Sequence, residues 1–232
     1  MATTQVNALV ARASTLIQDA TNVRWPIPEL VGWLNDGQRE VALNKPEASV
    51  KNVSVALIAG STKQTLPADA VLLIDVVRNT GSGGSSPGTA VRLTDREVLD
   101  AQRPSWHSDA NTVGYIQHYT YDTRDPKNFY VYPKAPGGGW QIEVVYSSSP
   151  QDAVTGGVIS IDDTYANALL DYILYRAYSK DAEYAGNANL AVAHYTAFAN
   201  SLGIKTQNDM SRNPNAVGAT TGFNPNVPRR AA

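Results

Sequence analysis

Cysteine is missing from all 232 residues, so the chain carries no disulfide, no thiol nucleophile and no thiolate metal ligand. Histidine is scarce. His107, His118 and His194 are the three present, and no two stand at helical or hairpin spacing, so a converging imidazole site is not expected. Charged residues make up 17% of the chain, below the usual quarter or so, which leaves more uncharged surface for burial against partners. The net charge of −2 lacks the basic excess of a free nucleic-acid binder. No apolar run approaches the roughly 20 residues of a membrane-crossing helix, and residues 1–15 hold no apolar stretch of the kind that directs secretion. Synthesis in the cytoplasm and no membrane partner are the expectations.

Enzyme motifs are absent as well. Serine-nucleophile, zinc-helix and dinucleotide patterns do not occur. Gly81-Ser82-Gly83-Gly84-Ser85-Ser86-Pro87-Gly88 lacks the Lys-Ser/Thr ending of a phosphate loop, and reads as a flexible connection. Asp162-Asp163 precedes an apolar helix, where carboxylates cap amides and meet the positive dipole end, and capping is preferred over acid–base work. Lys180 and Glu183 stand at helical pairing distance on a solvated or interfacial face. Asn52-Val53-Ser54 fits a glycosylation acceptor but has no secretion signal behind it. No catalytic residue, cofactor or metal is expected, and a peptidoglycan hydrolase would need an acidic constellation that the chain does not display.

What is present divides by periodicity. Val6, Leu9, Ala13, Leu16 and Ala20 recur in steps of three and four, the stripe of an amphipathic helix. A second helix starts after Trp25-Pro26-Ile27-Pro28, continues through Leu30, Val31, Leu34 and Val41, and stops at Pro46. The two are expected to form an antiparallel hairpin. Between residues 50 and 161 the pattern turns to short β-branched and aromatic runs separated by Gly, Pro and Asp: 52–58, 70–78, 89–93, 114–122, 128–132, 140–148 and 157–161. Tyr115, Gln117, Tyr119 and Tyr121 share one face of their run, Asp122–Lys127 supplies a turn, and an antiparallel meander follows. Thr94-Asp95-Arg96-Glu97 reads as a capping box opening one short helix.

Two longer helices close the pattern. The first, capped by Asp162 or Asp163, carries Ala166, Leu170, Ile173, Leu174 and Ala177 with Tyr165, Leu169 and Tyr172 on a second apolar flank. The second is capped by Asn187, turns Leu190, Ala191, His194 and Phe198 inward, and ends at Gly203. Residues 204–232, with Pro214, Pro225 and Pro228 and few large apolar groups, predict an extended arm. The fold class is α+β: an N-terminal helical hairpin (1–48), an antiparallel β-rich insertion (49–161), a C-terminal helical pair completing a bundle (162–203) and the extended C-terminal arm (204–232).

Aromatic supply is the strongest compositional feature. Of 12 tyrosines, Tyr165, Tyr172, Tyr175, Tyr178 and Tyr184 crowd one helix. Such residues suit a protein interface, because they bury large area and keep a polar handle; core and rim packing is the other reading, and composition does not separate them.

Three stretches carry a family likeness. They are Trp25-Pro26 with Leu30-Val31-Gly32-Trp33-Leu34-Asn35-Asp36-Gly37-Gln38-Arg39-Glu40; Leu66-Pro67-Ala68-Asp69-Ala70 running into Leu73-Ile74-Asp75-Val76-Val77-Arg78-Asn79; and Leu170-Asp171-Tyr172 through Tyr175-Arg176-Ala177-Tyr178-Ser179-Lys180-Asp181-Ala182-Glu183-Tyr184, then His194-Tyr195 and Phe198. Asp125-Pro126-Lys127-Asn128-Phe129-Tyr130-Val131-Tyr132-Pro133 fits between them. Over about residues 5–203 the chain resembles the head-to-tail adaptors of tailed bacteriophages, the tail tubular protein A-like group. The resemblance implies a helical bundle with a β-rich insertion, and a virion structural protein at the capsid vertex, where head meets tail. It further implies a ring, usually twelve-fold, beneath the portal, serving genome ejection. The implied partners are the portal protein, a tail or nozzle protein, further copies of itself, and DNA that passes through the channel without sequence-specific binding.

Two sets of residues follow as candidates. Tyr172, Tyr175, Arg176, Tyr178, Lys180, Asp181 and Tyr184 are expected at the subunit interface. Arg212, Phe223, Arg229 and Arg230 are expected to order a portal-docking arm. A head-completion or tail-terminator ring elsewhere in the virion is the nearest alternative, and a DNA- or glycan-binding module is the next.

Overall fold

The computed structural model describes residues 2–184 and 186–212. In chain order the elements are α1 (Val6–Leu16), α2 (Ile27–Asn44), β1 (Val50–Ala56), β2 (Lys63–Thr65), β3 (Ala70–Gly81), β4 (Arg92–Leu93), α3 (Arg96–Gln102), β5 (His118–Tyr121), β6 (Asn128–Tyr132), β7 (Gln141–Ser148), α4 (Ala166–Lys180) and α5 (Asn187–Arg212). The chain is mixed α+β. It divides into a helical unit, drawn from Met1–Gln38, Ala153–Ile159 and the chain from Asp163 onward, and a β-rich unit of Arg39–Asp152 with Ser160–Asp162. The division falls inside α2.

In the helical unit α1 buries Val6, Leu9, Val10 and Ala13. The helix stops one step before the expected stripe would: Leu16 is exposed, Ile17 is buried, and Gln18 and Asn22 take left-handed backbone conformations. The Asp19 carboxylate accepts from the amides of Val23, Arg24 and Trp25, so the connection to α2 is a folded loop and not a tight turn. Instead of the expected hairpin with α2, the main helix–helix packing of α1 is against α4, and α4 packs in turn on α5. Leu169, Leu170, Tyr172, Ile173, Leu174 and Ala177 of α4 are buried, as the two-flank pattern predicts. Gly37 of α2 lies so near α4 that an added methyl group would come within 3.0 Å of the Tyr172 ring and 3.2 Å of Leu169.

Helix α5 turns Ala191, Phe198 and Leu202 inward and keeps His194 half-buried, while Leu190, also expected inward, is 44% exposed. It also runs through Gly203 to Arg212, so residues 204–212 are helical and not part of an extended arm. A single glycine costs a helix only about 1 kcal/mol, and the buried Phe198 and Leu202 hold the preceding turn in place. The rest of the expected arm, 213–232, lies outside the described residues.

The β-rich unit has two sheets, ordered β1-β7-β3 and β2-β6-β5-β4. All pairings are antiparallel except β4 with β5, which is parallel; the expected all-antiparallel insertion is corrected there. Leu57, Leu73, Val76, Ile116, Tyr119, Phe129, Val131, Ile142 and Val144 belong to its core. The sequence missed β2, three residues long, and placed a strand at 157–161, where only a Gln5–Val158 bridge forms. Along β3 the register against β7 shifts at every third residue. Such bulges insert an extra residue, which leaves Val71, Ile74 and Val77 exposed while Leu73 and Val76 stay buried.

Candidate interaction surfaces

The aromatic crowd resolves into a network across α4 and α5. Tyr172 is buried in the chain's own core, edge-on to Tyr175 (5.6 Å between centroids) and to Phe198 (5.2 Å). Tyr175 meets Tyr195 at 5.0 Å. Tyr178 stacks at 5.7 Å on His194, whose Nδ1 lies 3.0 Å from Asp171. At the far end of α4, Lys180 pairs with Glu29 of α2 at 2.7 Å, and Asp181 pairs with Arg24, whose guanidinium lies over the Tyr184 ring at 5.0 Å. Of the seven residues expected at a subunit interface, Tyr172 is therefore internal, Tyr175, Arg176 and Tyr178 are half-buried, and Tyr184 is 61% exposed. Val192 and Tyr195 add exposed apolar area on α5. Arg212 closes α5, while Phe223, Arg229 and Arg230 fall outside the described residues.

Asp163, predicted as a helix cap, does other work. Its carboxylate accepts from the amides of Thr3 and Thr4 and from the Thr3 hydroxyl, and hydrogen bonds from Thr4 and Thr3 hold it well below the usual carboxylate range. Helix α4 starts at Ala166 with no side-chain cap. Asn187 likewise donates to the Asp181 carbonyl. The cap of α3 is Asp95, whose carboxylate accepts from the Glu97 amide at 3.0 Å; Thr94 instead bonds His118.

The motif asparagines are structural. Buried Asn35 donates to the Ala153 carbonyl at 3.1 Å and accepts from the Ala153 amide at 2.8 Å, with Gln38 completing the set. Asn79 does the same with Ile116 in the β-rich unit. His107 bonds Thr62 and stacks on Trp106. Among the described residues no three His, Cys, Asp or Glu side chains gather where they would hold a metal ion, and no helix is long and apolar enough to cross a membrane.

One groove in the β-rich unit stood outside every sequence expectation. It has a volume of about 670 Å³ and runs between the start of α3 and the β5–β6 turn, lined by Leu93–Glu97, Asp100, Thr120–Asp125, Asn128 and Tyr130. The sequence predicts only a turn at Asp122–Lys127. Asp122 is held by Arg124, which lowers its carboxyl to about 2.

Half-exposed rings, ion pairs at helix ends and a charged groove are the features these surfaces present, and half-exposed rings are favoured at protein interfaces. A family model described as SU10 adaptor protein matches residues 4–218, and the chain belongs to that family of phage head-to-tail adaptors. No curated protein matches the chain. Membership makes it a phage structural protein and a component of the virion.

Proposed function

We propose that the protein forms a closed ring, usually of twelve copies in its family, beneath the portal at the capsid vertex. The ring continues the DNA channel and presents a surface on which a tail or nozzle protein docks. A heterologous interface repeated by rotation until it closes gives such a ring. The observation that carries the reading, beyond family membership, is the aromatic margin of α4, α5 and the link between them, where Tyr184, Val192 and Tyr195 are exposed and Tyr195 lies 6.0 Å from buried Phe198. Large rings kept half in solvent are the residues that dominate interfaces. Tyr175, Arg176, Tyr178, Lys180, Asp181 and Tyr184 belong to this subunit interface; Tyr172 supports it from within.

DNA passes through without sequence-specific contact and without being gripped, the latter because phosphate binding is driven by basic side chains and the chain's net charge is −2. Arg212 at the end of α5, with Phe223, Arg229 and Arg230 beyond it, is proposed to engage a groove between portal subunits. The test is the mass of the purified protein by light scattering, alone and with the phage's portal. A stoichiometric ring on the portal supports the adaptor reading. A protein that ignores the portal but joins the tail tube would instead be a terminator ring.

A further inference from the structure

Helix α5 carries no Asp, Glu, Lys or Arg from its start at Asn187 to Gly203. A helix at a protein surface ordinarily turns charged residues outward, and here the outward stripe is apolar instead. Ala188, Val192, Tyr195 and Ala199 recur at helical spacing and all are exposed, Val192 by 67% and Tyr195 by 42%. Tyr195 rests on Tyr175 at 5.0 Å and on Phe198 at 6.0 Å, which holds its ring in place while part of it stays in solvent.

The same helical unit has a groove of about 280 Å³ beside α1, and no residue lining it is charged. Val10, Ala11, Ser14 and Thr15 of α1 form one wall, with Ala20 and Ile27 opposite. Its polar side chains are already engaged: Ser14 donates to Asn22 at 2.6 Å, Thr15 donates to the Ala11 carbonyl at 2.9 Å, and Asn7 accepts from the Gly156 amide at 3.1 Å. Burying a polar group there without a partner would be costly, so the fitting occupant is apolar. Among the described residues α1 and α5 each pack on α4 rather than on each other, which puts groove and stripe on different flanks of α4. Two different patches on different flanks of one unit are what a head-to-tail contact requires, whereas a twofold contact uses one patch twice.

We propose that the Val192–Tyr195 stripe of one copy seats in the α1 groove of the next. Val192 enters between Ala11, Thr15 and Ile27, and Tyr195 lies across the rim with its hydroxyl in water. Neither surface brings a charge into the contact, as the centre of an interface favours. The contact gives the aromatic margin of α4 and α5 its counterpart on the neighbouring copy, and in that respect it rests on the ring reading.

Because the chain has no cysteine, introduced thiols report this contact without background. Ala11→Cys and Val192→Cys, both at exposed positions, are treated with a short bis-maleimide, as concentrated free chain and on the portal. Neither variant alone should give a cross-linked dimer. Their equimolar mixture should give dimer and nothing larger, and the double variant a ladder of dimer, trimer and higher species. Val192→Cys cross-linked to itself overturns the proposal, because the contact is then twofold. Cross-links to the portal in place of the ladder overturn it too, as does the lack of any cross-link under both conditions. A ring on the portal without the ladder removes this contact and leaves the ring reading standing. A ladder from a chain that ignores the portal keeps the contact and removes the adaptor reading.

Discussion

Asn79 and Ile116 exchange two hydrogen bonds: the side-chain amide of Asn79 donates to the Ile116 carbonyl at 2.7 Å and accepts from its amide at 2.9 Å. The same oxygen accepts from the Trp140 indole at 3.0 Å, and the same nitrogen reaches the Thr89 carbonyl at 3.0 Å. One 2% exposed side chain thus ties β3 to two loops and to the residue before β7. Replacing Asn79 by Ala leaves several buried groups unpaired, each costing about 1–3 kcal/mol. The expected result is a loss of about 2–4 kcal/mol in urea unfolding, with Thr123→Ala on the surface as the unchanged control.

Gly88 closes the glycine-rich loop, and a methyl group added there would overlap the Asn79 carbonyl oxygen. Gly83, five positions earlier, has open space around it. Gly88→Ala is expected to destabilise the β-rich unit by about 1–3 kcal/mol. Gly83→Ala is expected to be neutral or to stabilise by up to about 1 kcal/mol, through a less free unfolded chain. Paired thermal melts decide; equal effects would mean that the close approach at Gly88 is absent.

Tyr172 and Tyr184 predict opposite outcomes from one substitution type. Tyr172→Ala removes a buried ring next to Phe198 and should cost about 3–5 kcal/mol of stability. Tyr184→Ala removes an exposed ring whose contact is the Arg24 guanidinium above it, and should lower the melting temperature by no more than about 4 °C while weakening assembly on the portal. Light scattering of the mixture reads the second effect.

Asp163 makes a pH prediction with a definite sign. Its folded-state pKa lies below the ordinary 3.8 because Thr4 and Thr3 bond the carboxylate. A depressed carboxylate contributes stability that is present above its unfolded pKa and lost as pH falls through the folded value. The melting temperature should therefore drop below about pH 4, and Asp163→Asn should flatten that drop while lowering stability at neutral pH. Parallel pH profiles for the two proteins would overturn the assignment.

Helices were legible where burial is one-sided. The α4 pattern, Leu170 through Ala177, survives intact because every apolar position on it is inward. The stripe of α1 drifted at Leu16 because Gln18 turns the chain, and a left-handed glutamine has no sequence signature. Strand β3 was legible as the run 70–78, three residues short of its end at Gly81, but its buried face was not, because bulges impose a repeat of three where regular strands alternate with a period of two. At the candidate surfaces, the tyrosine cluster was visible as composition, whereas its split into core Tyr172 and exposed Tyr184 depends on what α5 covers. The groove was invisible, since Glu97 and Thr120 on its two sides are 23 residues apart in sequence and their segments meet through the β4–β5 pairing and the Thr94–His118 bond.

The bond from Asp163 to Thr3 spans 160 positions, and α1 has its packing partner in α4. A chain leaving the ribosome therefore exposes the part of α1 that α4 covers until residues 166–180 have emerged. The β-rich unit, nearly continuous from Arg39 to Asp152, is complete first. Synthesis imposes an order in which the middle closes while the beginning waits, and a chaperone that shields residues 6–17 would matter most during that interval.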